Sequence, residues 1–145
     1  MITITSVKAT EKGPAPSGPL VITPVLPPNI KPGPDTYPHT TGAYITWNIS
    51  ADQPVKDKTY VAIVPVPASG DVKWVNDDGY GNNTVYKYIT AREGTAGISI
   101  SVQDRRSRKP IPERQYVAFI AEEDSDTPAA VSEPFTVTAY VNPAA

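Results

Sequence analysis

The sequence contains no cysteine and a single histidine, His39, among 145 residues. Without cysteine there is no disulfide framework, no thiolate metal ligand and no thiol nucleophile. One imidazole in a proline-rich stretch also argues against a serine–histidine–aspartate site or a histidine-based metal site. The nucleophile-elbow, Walker and dinucleotide-binding motifs do not occur. We therefore expect a protein that is not an enzyme and has no cofactor.

Long apolar runs and a basic charge balance are absent as well. No window approaches the ~20 apolar residues of a membrane span, and residues 1–8 lack the basic and apolar regions of a signal peptide. The formal charge of −2 and the isoelectric point near 5.3 leave no basic footprint for nucleic acid. We expect a soluble chain, cytoplasmic or part of an assembled particle, that neither inserts into a membrane nor binds nucleic acid.

Proline, by contrast, is abundant, with 17 residues concentrated before residue 39. Residues 2–9 show a weak strand pattern, and the apolar residues 20–26 contain Pro24, which confines that segment to a sheet edge or a bulge. Residues 27–38 are typical of extended, polyproline-like chain. Residues 1–42 are thus predicted to be a Pro-rich arm with edge strands. The arm either lies on its own domain or docks on a neighbouring copy.

One apolar run occurs twice in the chain, at residues 59–66 and, in altered form, at residues 115–121. Each copy includes Tyr-Val-Ala followed by β-branched or aromatic residues, and a polar, turn-forming stretch follows it. This composition is typical of buried strands. We predict that the two copies are central strands of a sheet.

Further short segments also have strand character. Residues 43–49 alternate clearly, with Ile45, Trp47 and Ile49 on one face, and Trp47 is expected in the core. Additional strands are predicted at residues 72–75, 85–90, 98–102 and 134–141. Strands that follow strands, without helical segments between them, indicate an all-β, antiparallel β-sandwich of the immunoglobulin-like or fibronectin-like kind. The sandwich is predicted to span residues 43–145.

The order of several aromatic and proline motifs resembles that of SKICH-type domains, which are immunoglobulin-like modules. The resemblance covers roughly residues 43–138 and rests on Trp47, Tyr60, Trp74, Tyr86 and Tyr88, residues 116–120 and the Ser-Glu-Pro-Phe-Thr-Val run at 132–137. The family's Asp-Trp-x-Gly run is replaced here by Thr-Tyr-Val-Ala at residues 59–62. The resemblance implies the immunoglobulin-like fold and no functional residue.

A candidate ligand site lies between residues 74 and 83. Sugar recognition uses aromatic faces against C–H groups, with amides and carboxylates that bond the hydroxyls, and Tyr and Trp combine an apolar body with a polar handle. The segment supplies both kinds of side chain: Trp74, Asn76, Asp77, Asp78, Tyr80, Asn82 and Asn83. The alternative is that Trp74 fills the edge of the core and the loop only turns the chain.

Two acidic stretches contain carboxylates that could bind a hard cation, which prefers oxygen ligands. Their carboxylates are Asp77 and Asp78 in the first, and Glu123, Asp124 and Asp126 in the second. Neither has EF-hand spacing, and solvated hairpin tips explain both stretches. No metal site is predicted.

These observations favour a non-catalytic structural, assembly or protein-binding module that acts through its Pro-rich arm, edge strands and loops. Its expected partner is another copy of itself or another protein. The alternative is a carbohydrate-binding, lectin-like module whose glycan contacts Trp74 and Tyr80.

Overall fold

The computed structural model describes residues 1–14, 16–24, 40–74, 77–123, 125 and 127–140. In these residues the secondary structure consists of strands: β1 (Ile2–Lys8), β2 (Val21–Ile22), β3 (Thr40–Ile49), β4 (Tyr60–Val66), β5 (Tyr86–Tyr88), β6 (Glu93–Ser101), β7 (Arg114–Ala121), β8 (Ala130–Val131) and β9 (Phe135–Val137). No helix capable of crossing a membrane was found in this part of the chain.

The strands form two sheets. The smaller has the order β1-β3-β6, and the larger has the order β2-β9-β7-β4-β5, with β8 paired to β7. One apolar cluster joins the inner faces of both sheets, since it contains Ile45 and Trp47 from β3 together with Ile120 from β7 and Phe135 from β9. The all-β, two-sheet prediction is therefore confirmed.

One pairing departs from the antiparallel prediction. β2 runs parallel to β9 at the edge of the larger sheet, where Thr136 N donates to Leu20 O at 3.0 Å and Thr138 N donates to Ile22 O at 2.9 Å. Pro24 follows this short strand, and a proline is compatible with an edge position because an edge strand needs ladder bonds on only one side.

Buried and more exposed side chains alternate along β3 as predicted. Ile45, Trp47 and Ile49 are buried, and the Trp47 indole Nε1 donates to Ala91 O at 3.0 Å. The buried indole is thus satisfied, as a buried polar group must be.

The two repeated segments form β4 and β7, which lie side by side in the middle of the larger sheet. Their inner side chains join the core between the sheets. Their outer side chains form a second cluster: Ala62, Val64, Val117, Phe119 and Ala121, with Tyr60, Val66, Val72 and Trp74 packed against it. Both faces of these strands are apolar, which explains why their sequence shows a continuous apolar run.

Some predicted boundaries differ from those observed. Residues 72–74 are not a strand, so that prediction is wrong for them. The apolar residue at position 74 is explained by packing, because the Trp74 ring covers Phe119 on the outer face of the larger sheet. The boundary after residue 42 falls inside β3. In the region predicted as an arm, β1 pairs with β3 and β2 with β9 of the same chain. Residues 25–39 lie outside the described residues, so docking of that segment on another copy stays a prediction.

Candidate functional site

The loop at residues 77–83 is held in shape by its own carboxylates. Asp77 Oδ1 accepts from Gly79 N at 2.8 Å, and Asp78 Oδ1 accepts from Tyr80 N at 2.8 Å and from Asn82 N at 3.2 Å. Gly79 has a φ of 86°, a left-handed conformation that glycine adopts without steric cost. The acidic residues therefore build the turn, as Asx residues commonly do.

Arg114, the first residue of β7, fixes this loop to the sandwich. Its Nη1 donates to Asp78 O at 2.8 Å, its Nη2 to Asp78 Oδ2 at 3.0 Å, and its Nε to the Tyr116 hydroxyl at 2.7 Å. The guanidinium carbon lies 4.8 Å from the Tyr80 ring centroid and 4.9 Å from that of Tyr116. Cation–π attraction therefore adds to a largely buried ion pair.

Burial raises the pKa of the Tyr116 phenol above its ordinary value, because the charged phenolate is desolvated there. The positive charge of Arg114 and its hydrogen bond act in the opposite direction and only partly offset the effect. Tyr116 is thus a neutral hydrogen-bonding group at physiological pH. The sequence did not single out Arg114 or Tyr116, although their i, i+2 spacing at the start of an apolar run places them on one face of a strand.

Trp74 and Tyr80, predicted to act together, pack against different parts of the sandwich. The Trp74 ring meets Phe119 with centroids 5.0 Å apart, on the outer face of the larger sheet. Tyr80 packs against Arg114. Arg114 and Phe119 are five residues apart on β7, a separation of roughly 17 Å along a strand.

The remaining loop residues of the predicted site use some of their polar groups in bonds within the protein. The Asn82 side-chain amide donates to Asp78 Oδ2 at 3.3 Å and to Gln103 O at 3.4 Å, and Asn83 forms an isolated bridge with Asp77. Asn76 lies outside the described residues. A cleft of about 760 Å³ opens beside the loop, and Asp77, Asp78, Tyr80 and Arg114 contribute to its walls.

The candidate carboxylates do not form a metal site in the described part of the chain, where no group of three or more His, Cys, Asp or Glu side chains could hold a metal ion. Asp78 is paired with Arg114, and Glu123 with Lys58 at 3.0 Å. Asp124 and Asp126 lie outside the described residues.

A second surface, at the edge of the larger sheet, was not predicted. We call it the tyrosine edge; it consists of β5 with Tyr86 and Tyr88. These side chains are 49% and 57% exposed, and their ring centroids lie 5.4 Å apart. Hydrogen bonding to Tyr86 raises the pKa of Tyr88 above its ordinary value. Tyr86 also meets Tyr60 of β4 at 5.7 Å, so the tyrosine edge continues the outer apolar cluster.

The backbone of the tyrosine edge is open on one side. Ile89 N donates to Thr59 O at 2.9 Å, and Val61 lies opposite Lys87 two residues further along this antiparallel ladder. Because bonded and non-bonded pairs alternate, Lys87 directs its N–H and C=O toward β4, while Tyr86 and Tyr88 direct theirs away from it. Within the described residues β5 has β4 as its only strand neighbour.

Comparisons with known proteins add no further constraint: no family model, curated protein or solved structure matches this chain.

Proposed function

We propose that this chain is a non-catalytic assembly module with an immunoglobulin-like sandwich, which pairs with a second copy of itself through the tyrosine edge. The observation that carries the proposal is the free backbone edge of β5, flanked by two exposed tyrosines that adjoin an apolar sheet face. Open edges of this kind accept a further strand, and the backbone bonds supply affinity.

The strand order supports the immunoglobulin-like assignment. When the strands are lettered along the chain, β1, β3 and β6 take the positions A, B and E of one sheet. In the other sheet β9, β7, β4 and β5 take the positions G, F, C and C′. These are the sheets of immunoglobulin domains, with the C′ strand that variable-type domains add. The resemblance to SKICH-type domains implies the same fold.

A second copy fits the tyrosine edge by symmetry. Two β5 strands related by a two-fold axis at Lys87 run antiparallel, and the outward backbone groups of Tyr86 then meet those of Tyr88 in the second copy. The two tyrosines of each strand also lie on the same outer face, where cross-strand aromatic pairs stabilise a sheet. Tyrosine is moreover enriched among the residues that dominate binding energy at interfaces.

Most charges near the tyrosine edge are paired. Lys56 pairs with Glu122 at 3.2 Å, and Lys58 pairs with Glu123 at 3.0 Å. Lys87, in the middle of β5, has no ion-pair partner among the described residues. A surface with so little net charge favours a second copy over a strongly acidic or basic partner, and Lys87 supplies one repulsive contact.

The experiment is the native mass, measured by sedimentation equilibrium over a range of protein concentrations. The wild type is expected to be a reversible dimer, and the double variant Tyr86→Ser/Tyr88→Ser a monomer. Val21→Ser is the matched control, because Val21 is also exposed but lies at the opposite edge of the same sheet. A wild type that stays monomeric at every concentration would refute the proposal.

The two-fold arrangement also leads to a prediction about Lys87. It sets Lys87 directly opposite Lys87 of the second copy, and like charges in that position destabilise a strand pair. Lys87→Thr should therefore tighten the dimer, by up to about 1 kcal/mol. Added salt should tighten the wild-type dimer and leave the variant nearly unchanged.

Carbohydrate binding at the loop is a second candidate function. The observation in its favour is the cleft beside Tyr80, whose walls include Asp77 and Asp78. If it is right, Tyr80→Ala abolishes a glycan-array signal that the wild type shows. Retention of the signal in that variant contradicts it.

A further inference from the structure

The outer face of the smaller sheet is polar but carries few charges. Apart from Lys8 and Glu93, its strand register places uncharged side chains outward, mostly hydroxyls: Thr3, Ser6, Thr46, Asn48, Thr95 and Ser99. Two of the hydroxyls already contact each other, since Thr46 Oγ1 and Thr95 Oγ1 lie 2.9 Å apart. A hydroxyl has one donor and two acceptor positions, so both retain capacity for a ligand.

An aromatic ring lies in the middle of this face. Tyr44 on β3 is paired with Gly97 on β6, and the ring occupies the space that a side chain at residue 97 would need. A Cβ added at Gly97 would come within 3.0 Å of Tyr44 Cε1, and one at Gly42 within 3.8 Å of Cε2. Gly97 thus lets the ring lie across β6, whereas the distance at Gly42 is an ordinary contact, and Tyr44 remains half-buried.

The ring borders a groove of about 560 Å³, within the range of roughly 300–1,000 Å³ found for small-molecule sites. Thr95 and Ser99 line it with exposed hydroxyls, and Glu11 and Lys87 contribute one carboxylate and one ammonium. The described residues give neither of these two charged groups an ion-pair partner. The groove therefore offers an aromatic surface, hydroxyls, a strong acceptor and a strong donor, with no net charge.

We propose that this groove binds a neutral, hexose-based oligosaccharide, with one sugar ring against Tyr44. A pyranose has an apolar C–H side that matches an aromatic ring, and hydroxyls around its rim that both donate and accept hydrogen bonds. Thr95 and Ser99 meet this mixed demand, Glu11 accepts from a sugar hydroxyl, and Lys87 donates to one. Acidic or phosphorylated sugars would bring the net charge that the groove does not balance. Apart from Lys87, which lies on β5 between the two tyrosines, the site shares no residue with the tyrosine edge, and it shares none with the cleft beside Tyr80.

The test is saturation-transfer NMR on the full chain with linear neutral hexasaccharides of gluco, manno and galacto configuration, followed by titration of those that respond. At least one wild-type response is expected. Tyr44→Ala should weaken the binding about tenfold, the loss expected when roughly 1.4 kcal/mol of contact is removed, and Tyr44→Phe should largely preserve it. Gly97→Val should weaken binding to the same extent, because it displaces the ring without removing it.

Three control variants separate this site from the others. Tyr80→Ala and Trp74→Ala should leave the response intact, and so should the monomeric Tyr86→Ser/Tyr88→Ser variant. Far-ultraviolet circular dichroism and thermal melting confirm that each variant is folded. Absence of a response to all three hexasaccharides at millimolar concentration overturns the proposal. A response that survives in folded Tyr44→Ala, or one that Tyr80→Ala removes, also overturns it.

Discussion

At the scale of single residues, Arg114 fixes the loop at 77–83 to the sandwich. It binds the Asp78 carbonyl and carboxylate, packs between Tyr80 and Tyr116, and donates to the Tyr116 hydroxyl. The side chains of Arg114 and Asp78 are only 16% and 11% exposed. At that burial an unpaired carboxylate is costly.

Replacing Arg114 tests this arrangement. Arg114→Met should lower the free energy of unfolding by about 2 kcal/mol, less than for a fully buried pair because some solvent reaches the site. Arg114→Lys should recover less than half of that loss, since an ammonium cannot bond two Asp78 oxygens and the Tyr116 hydroxyl in one plane. Urea unfolding measures both changes. The exposed Arg106→Met is the matched control and should change stability by less than about 0.5 kcal/mol; an equal effect there would contradict the assigned role.

The raised pKa of Tyr116 leads to a prediction about the stability of the fold at alkaline pH. A pKa that is higher in the folded state means that the neutral phenol stabilises the fold below the unfolded value of about 10. That contribution is then lost as the pH rises through the folded-state pKa. Between pH 9 and 12 the thermal midpoint of the wild type should fall more than that of Tyr116→Phe. Parallel curves would show that burial of the phenol is not the cause.

The burial of single residues could be predicted from the sequence, but the hydrogen bonding of the candidate site residues could not. The alternation of Ile45, Trp47 and Ile49 predicts their burial because a strand shows its faces with period two. The pattern could not reveal that Asp78 and Asn82 are occupied by bonds within the protein. Arg114, a partner of Asp78, is 36 residues away along the chain, and Gln103, whose carbonyl accepts from Asn82, is 21 residues away. Composition alone presents such side chains as available to a ligand.

At the scale of elements, β3 and β6 fit together through glycines. Gly94 lies opposite Trp47 and Gly97 opposite Tyr44. A Cβ at Gly94 would come within 3.1 Å of Trp47 Cζ2 and 3.2 Å of Cη2. The indole cannot yield easily, because it is buried and its Nε1 is bonded to Ala91 O.

Gly94→Ala should accordingly destabilise the fold by about 1–2 kcal/mol through overpacking. Gly18→Ala is the matched control, because no atom lies within 4 Å of a Cβ built there. It should be neutral or slightly stabilising. Thermal or urea unfolding of the two variants decides the point, and equal stability of both would contradict the packing described for β3 and β6.

The sequence predicted the central strands closely and most peripheral strands with approximate bounds, since the predicted segments 85–90, 98–102 and 134–141 contain or overlap β5, β6 and β9. β4 and β7 were identifiable because both of their faces are buried, which produces uninterrupted apolar runs. The segment at 72–74 was predicted as a strand from its apolar residues. Trp74 instead packs its ring on Phe119, and the segment does not pair with a strand. The prediction of a strand at 85–90 is confirmed by β5, but its edge position was not predicted, although a lysine as the inner side chain of Tyr-Lys-Tyr is typical of an edge strand.

At the scale of the whole molecule, the sandwich has several strand edges, and the tyrosine edge is the one proposed to pair. Two of the others are protected in the described residues: β2 is two residues long, and β1 has a register shift between Ile4 and Ser6. Short strands and bulges are common ways to prevent unwanted pairing. The tyrosine edge is itself only three residues long and carries Lys87, so the proposed pairing depends on its two exposed tyrosines.

The absence of cysteine permits a direct measurement of that central claim. In the two-fold arrangement the two Lys87 residues form a non-hydrogen-bonded pair, with Cα atoms about 4.5 Å apart, a distance that a disulfide can span. Lys87→Cys should therefore convert almost completely to a covalent dimer on mild oxidation, as read by intact mass under non-reducing conditions. Val21→Cys, at the other edge of the sheet, should remain a monomer. Failure of Lys87→Cys to cross-link, or equal cross-linking of both variants, would contradict assembly through the tyrosine edge.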